Sequence, residues 1–217
     1  MFCYPSPPMG LGMRRRVSLP LAGTLAGLTL TACISGLPVA AAQAAGVPKC
    51  ESQSLSQPFL KWGDSNYYAL APGGDFEGPA SPWTLSGGAQ RVSGSEPYAV
   101  TGALGSWSLA LGAGAAAQSP FSCIEPNDRT FRAFARSEGK ESSVRVSVVY
   151  ATFLGNITIP VGTAAAKSAW EPTAAFHTGV LMGALLSEGS VHVALRFTAV
   201  SGASRIDDVL IDSRMRR

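Results

Sequence analysis

The sequence predicts an all-β chain: a single antiparallel β-sandwich that follows an N-terminal targeting segment. Three observations carry this. Short runs of alternating apolar and polar residues recur along the C-terminal part, turn-forming Gly, Pro, Ser and Asn separate them, and helical periodicity is confined to two brief stretches. Successive side chains of a strand point to opposite faces, so each alternating run has one side to bury and one to leave wet. Many such runs in series are the pattern of a sandwich.

The first segment is a targeting signal. Arg14, Arg15 and Arg16 form a positive cluster, residues 17–47 carry no charged side chain, and Ala42-Gln43-Ala44 presents small residues where a signal peptidase reads. Residues 1–44 are therefore expected to be removed, with Met9 or Met13 as alternative starts, and the product to be secreted. Two other routes stay open. Leu30-Thr31-Ala32-Cys33 resembles a lipobox, whose acylated Cys33 would hold the protein at a cell surface. The uncharged stretch Val17 to Ala42 has 26 residues, and about 20 suffice to span a bilayer if it stays uncleaved. Membrane contact is expected by these two routes alone.

Charge excludes one class of partner. The net charge of +3 belongs to the three arginines of the signal; from Gly46 onward 14 basic and 14 acidic side chains cancel. Nucleic-acid binding needs a field of Lys and Arg to displace counterions from phosphates, and the domain has none.

Of four cysteines, Cys3 and Cys33 lie in the segment to be removed. Cys50 and Cys123 remain, and an even pair in an exported domain reads as a disulfide. It would close a separation of 73 residues, for which loop entropy gives about 4 kcal/mol. A metal pair is disfavoured, since there is no CxxC and only His177 and His192 could add nitrogen ligands.

The mature chain divides into a polar lead-in tied down by the disulfide (residues 45–70) and the sandwich (residues 71–217). The lead-in holds Phe59 to Asp64 and Tyr67-Tyr68-Ala69-Leu70. Short strands are expected at Phe76-Glu77, Trp83 to Leu85, Arg91-Val92, Tyr98 to Val100 and Trp107 to Leu111. Stronger alternation marks Phe131 to Arg136, Val144 to Phe153, Asn156 to Ile159 and Val191 to Phe197. Helix is credible at Thr163 to Ser168 or Val180 to Leu186.

No catalytic residue is predicted. There is no GxSxG elbow and no HExxH. Gly112 to Ala117 nominally fits GxGxxA, but Pro120 follows too soon for the helix that would hold a pyrophosphate. His192 lies in an alternating strand and His177 in a loop-like stretch, and no local signature joins either to a serine and an acid. Asn156-Ile157-Thr158 has the form of a glycosylation sequon.

Two segments resemble the ends of the galactose-binding-like jelly roll found in family 4 and family 9 carbohydrate-binding modules. The first is Gly73-Gly74-Asp75-Phe76-Glu77-Gly78, with Trp83 shortly after; the second is Ser204-Arg205-Ile206-Asp207-Asp208-Val209-Leu210-Ile211. The resemblance implies a jelly-roll sandwich and a non-catalytic module that binds carbohydrate or another cell-envelope component. It requires no cofactor but implies a structural Ca²⁺ held by Glu77 and Asp208, with Asp75 and Asp207 beside them; such an ion takes six to eight oxygens. Gly-Gly-Asp stands where the family often has Asn. The whole chain also looks like secreted actinobacterial proteins, a likeness that adds no biochemical role. A structural or interaction protein of the cell surface without a small ligand, and a secreted hydrolase with an unrecognised site, are the competing expectations.

Sugar binding calls for aromatic faces beside polar groups. Trp170, next to Pro172 in a turn-like stretch, is the expected exposed ring. Tyr67 and Tyr68 would point to opposite sides of any strand, so one should face solvent. Trp83, Tyr98, Trp107 and Tyr150 are better placed in the core, because burying an aromatic ring is strongly favourable.

Overall fold

In the computed structural model the described residues are 50–78, 82–125, 128–179 and 191–213. The expected signal segment, Cys33, residues 180–190, where the second helical stretch is expected, and the basic tail at 214–217 lie outside them.

The short strands expected at Phe76-Glu77 and at Tyr98 to Val100 do not form, because Phe76 and Ala99 turn the chain with φ at 56° and 52° and both segments are loop. Most of the alternating runs become strand. In order these are β1 (Tyr68–Leu70), β2 (Thr84–Ser86), β3 (Gln90–Ser93), β4 (Trp107–Leu111), β5 (Ala116–Gln118), β6 (Ser122–Ile124), β7 (Asp128–Ser137), β8 (Glu141–Thr152), β9 (Gly155–Lys167), β10 (Glu171–Pro172), β11 (Phe176–His177), β12 (Val191–Ser201) and β13 (Ser204–Ser213). They form two antiparallel sheets. Sheet A runs β10-β7-β13-β4-β3, with β1 also on β13 and β11 on β7; sheet B runs β2-β5-β12-β8-β9, with β6 also on β12. The chain crosses repeatedly from one sheet to the other, and the two inner faces meet in the antiparallel sandwich that the alternation predicts.

The core is what the period of two delivers. Phe131, Ala133 and Ala135 of β7, Leu109 and Leu111 of β4, and Ile206 and Ile211 of β13 point inward from sheet A. Val144, Val146, Val148 and Tyr150 of β8, and Val193, Leu195, Phe197 and Ala199 of β12, meet them from sheet B. Each large apolar side chain so buried contributes about 1.5–3 kcal/mol.

A helical expectation is corrected as well. Thr163 to Lys167, read as a helix, is the second half of β9, paired with β8 from Thr163↔Arg145 to Lys167↔Glu141. Alanine favours helix only weakly. Here the alternation of Ala164 and Ala166, both buried, with outward Thr163 and Ala165 fits a ladder that satisfies every second backbone group and fills the core. Gly162 precedes them because a Cβ there would come within 2.8 Å of the Phe176 ring.

A second apolar cluster sits on the outer face of sheet A. The lead-in turns through a 3-10 segment at Leu60–Trp62 and lays Phe59 and Tyr68 against Phe134, Leu210 and Trp170, with Trp62, Leu70, Tyr98 and Val100 at the edges. Arg132 crosses the cluster, stacking 4.5 Å from the Phe59 ring and pairing with Asp64 at 2.9 Å. Burial opposes the Asp64 charge, but hydrogen bonds from the Tyr68 hydroxyl, the Asn66 amide and Arg132 hold its carboxyl below the usual range.

Cys50 and Cys123 are joined, as expected. Cys123 lies in β6, opposite His192 of β12. The lead-in that packs on sheet A is therefore pinned at its start to sheet B. Reduction, or replacement of both cysteines by serine, is expected to remove about 2–4 kcal/mol and to lower the melting midpoint by about 5–15 °C. Thermal melts with and without reductant measure this; an unchanged midpoint would contradict the pinning.

Candidate functional site

Three regions compete for a functional role, and the first lies at the break in β13. The register with β7 passes from Asp207↔Phe134 to Leu210↔Arg132, so β13 carries one residue more than its partner. Asp208 takes up the extra length with φ at +43°, a left-handed conformation that Asp and Asn tolerate better than most residues. The loop after β1 fills the gap, with the Val209 amide donating to the Gly74 carbonyl (3.0 Å) and the Ala71 amide to the Val209 carbonyl (2.9 Å).

This break buries three carboxylates. Asp207, fully buried, accepts from the Ser95 hydroxyl at 2.6 Å and from the amides of Glu96 and Asp208, both at 2.9 Å. Glu96 accepts from the amides of Tyr98 and Val100 and shares a hydrogen bond with the Asp208 carboxyl. Asp75 is close enough to Asp208 to act on its charge. The Glu77 carboxylate accepts from the amides of Ser106 and Trp107 at 2.7 and 2.8 Å. Its Oε1 would lie 2.7 Å from a Cβ on Gly105, and the Ser95 hydroxyl 2.5 Å, so the two oxygens flank the same small space.

The structure thus gathers Asp75, Glu77, Asp207 and Asp208 at one end of the sandwich, and adds Ser95 and Glu96. A lone Glu before Pro97, in a Gly- and Ser-rich loop, carries no sequence signal of this role. The oxygens are largely spent on internal donors. Among the described residues no group of three or more His, Cys, Asp or Glu side chains is arranged to hold a metal ion.

Burial and mutual repulsion set the chemistry instead. Burial, against the hydrogen bonds that Asp207 receives, lifts its pKa to about 7. Burial, then the charges of Asp207 and Glu96, lifts that of Asp208 to about 9. In the unfolded chain both would titrate near 3.9. The folded state therefore holds protons that the unfolded state has released. This contribution to stability is full below about pH 4 and is lost as pH rises through about 7 and 9. In EDTA, the melting midpoint of the protein is expected to fall between pH 5 and pH 9. Asp208→Asn, which keeps the shape and tolerates the positive φ, should flatten that slope and raise the midpoint at pH 8 by about 2–4 °C. An equal slope in the variant would contradict the assignment.

The second region is the aromatic cluster on sheet A. Trp170, expected to be exposed, is buried at 8% exposure. Pairing of Glu171 and Pro172 with Ala135 and Phe134 brings its ring into the cluster on sheet A, Arg136 lies 5.6 Å from its ring centre, and its carbonyl accepts from the Tyr98 hydroxyl. Tyr68 is also buried and donates to Asp64 at 2.6 Å. Tyr67, pointing the other way, is 39% exposed, so one ring of the pair faces solvent. Trp83 and Tyr150 lie in the core and Trp107 packs against it, its ring 3.9 Å beneath the Arg91 guanidinium.

The third region is the outer face of sheet B. Core residues of β5, β12, β8 and β9 alternate with outward ones, and the register lines these up in rows. Thr84, Gln118, Arg196, Ser147 and Pro160 form one row, and Ser86, Ala116, Thr198, Arg145 and Thr163 the next. Small residues Ala116, Ser147 and Ala194 are buried at its floor, while Thr84, Arg145 and Thr163 are exposed and Gln118, Arg196 and Thr198 half-buried. Arg196 reaches the Gln118 carboxamide oxygen at 3.5 Å. Lone arginines and threonines in alternating strands read as ordinary solvated positions, which is why the sequence did not single them out.

Neither histidine assembles a hydrolytic site. His177 pairs opposite Thr130 in sheet A and His192 opposite Cys123 in sheet B, and both are exposed. A cavity of about 240 Å³ beside the disulfide is lined by Cys50, Leu55, Cys123, Glu125 and Asp128 among others, and by neither histidine.

No family model matches the chain, and no curated protein matches it. Solved structures do. An endo-1,4-β-D-xylanase of Clostridium thermocellum with a CBM22 module, complexed with xylohexaose, aligns with 64% of this chain and 27% of its own, at 14% identity and TM-score 0.47. A CBM22-1 xylan-binding domain from Paenibacillus barcinonensis aligns with 65% of this chain and 93% of its own, at 14% identity and TM-score 0.45. A family 11 carbohydrate-binding module from Clostridium thermocellum, in complex with a mixed-linked tetrasaccharide, aligns with 66% and 95%, at 12% identity and TM-score 0.39. The chain thus spans about a quarter of the xylanase and nearly all of the isolated modules. These solved structures carry carbohydrate-binding modules of families 22 and 11, where the two end segments resemble those of families 4 and 9. The likeness is one of layout and says nothing of what this chain binds; the resemblance to secreted actinobacterial proteins gains no support from it.

Proposed function

We propose that this chain is an exported, non-catalytic β-sandwich module that binds a carbohydrate of the cell envelope or its surroundings across the outer face of sheet B. One observation carries the reading. That face offers rows of hydroxyl, amide and guanidinium groups over a floor of small side chains, while the outer face of sheet A is closed by the lead-in. An extended, polyhydroxylated chain needs many donors and acceptors spread along its length, and such a carpet supplies them. Export is supported by the signal-like segment and by the Cys50–Cys123 disulfide, a bond that persists in oxidising compartments. No helix of the described residues is long and apolar enough to cross a membrane.

Binding of the oxidised protein to a glycan array tests this. Thr198→Trp, which sets a bulky ring on the face without touching the core, should weaken binding about tenfold or more, and Tyr67→Ala should leave it unchanged. No binding to any glycan, or loss in Tyr67→Ala instead, would contradict the proposal.

For the calcium implied by the resemblance, the proposed place is the cluster of Asp75, Glu77, Glu96, Asp207 and Asp208. A cation there would take over the charge relief that protonation of Asp208 provides. Calcium should then raise the melting midpoint relative to EDTA through mass action; melts indifferent to both would contradict it.

A further inference from the structure

The domain is neutral as a whole, but its charges are not evenly divided. The strands of sheet A carry Asp128, Glu171, Asp207, Asp208 and Asp212 against five arginines. Those of sheet B carry one acid, Glu141, against Arg145, Lys167 and Arg196. Glu141 sits at the far end of its face, opposite Lys167, which also lies 3.5 Å from Glu171. The two arginines are left in the middle of the face. Arg145 stands opposite Thr198 and Arg196 opposite Ser147, which makes them diagonal neighbours about 7–8 Å apart along the backbone. Neither has an acidic partner among the described residues; Arg196 meets the neutral Gln118 oxygen and Arg145 meets no side chain. Like charges so placed repel, and nothing within the described fold relieves them.

From this we infer that the face is selective for an acidic polysaccharide, a chain of uronic-acid sugars whose carboxylates pair with Arg145 and Arg196. This deepens the carbohydrate reading above and rests on it. A guanidinium offers a planar fork of donors that matches a carboxylate in two parallel hydrogen bonds. The hydroxyls of Thr84, Ser86, Thr163 and Thr198 and the Gln118 carboxamide surround the pair and suit the ring hydroxyls of the same chain. The charge is sparse, two arginines across five strands. That fits a polymer with about one charge per sugar and is far short of the dense cationic field that nucleic acid requires.

Affinity electrophoresis of the oxidised protein through gels holding polygalacturonate, neutral xylan or polyphosphate tests this. The protein should be retarded by polygalacturonate above the other two, and less so as salt rises. Arg145→Ala and Arg196→Ala should each weaken binding about tenfold. The lysine replacements, which keep charge but not the fork, should recover only part of it. Both positions lie on the outer face, so the melting midpoint should not move and a folding defect is separable. Equal retardation by polyphosphate would overturn the inference by reducing the face to a simple cation. Retardation by xylan that is indifferent to both arginines would overturn the acidic class while leaving the carbohydrate reading intact. No retardation in any gel would overturn both.

Discussion

The structure hangs on β13. It is the central strand of sheet A, paired along one edge with β7 and along the other with β4 and then β1. A strand that must serve two partners on one side and a long one on the other cannot keep a single register throughout. The extra residue at Asp208 is where the mismatch is absorbed, and a bulge of this kind bends the strand and re-aims its side chains. The lead-in, the loop after β1 and the loop before β4 all dock on what the bulge exposes. The bulge is stabilised by polar means: two of its residues are aspartates, and the surrounding loops answer with amides, a serine and a glutamate.

That choice has a consequence. Buried carboxylates without a cationic partner are unfavourable when charged, and Asp207 and Asp208 have none among the described residues. The fold accepts this because the carboxyl oxygens close the loops through backbone hydrogen bonds that an apolar side chain could not make. Stability at this end of the sandwich is therefore tied to the protons on Asp207 and Asp208, whereas on the opposite sheet Arg145 is exposed and Arg196 half-buried on the outer face. The sets of charges on the two sheets differ in character. One is internal and structural, the other outward and available.

Much of the fold was legible in the residues. The alternation in β7, β8 and β12 reports directly which side chains line the core, and the pair of cysteines beyond residue 44 reports their bond. The two end segments come together in space, through backbone hydrogen bonds between Val209 and both Gly74 and Ala71. What stayed hidden depended on partners distant in sequence. Ala164 and Ala166 look helical until β8 supplies their ladder. Trp170 looks exposed until β10 draws its ring into the cluster on sheet A, and the Phe59 and Tyr68 rings look like loop aromatics until sheet A offers them a face. Glu96 gives no local sign of its role. Arg145 and Arg196 are indistinguishable from solvated strand residues until the register places them diagonally on one face, with no acidic partner among the described residues.

The central claim is that ligand meets the protein on the outer face of sheet B. Titration of the isotopically labelled protein with a short galacturonate oligomer, followed by amide NMR, tests it most directly. The account predicts shifts concentrated at Gln118, Arg145, Ser147, Arg196 and Thr198, with the Phe59 to Leu70 lead-in unmoved. Shifts centred on Tyr67 and the lead-in, or none at any saturating concentration, would contradict it.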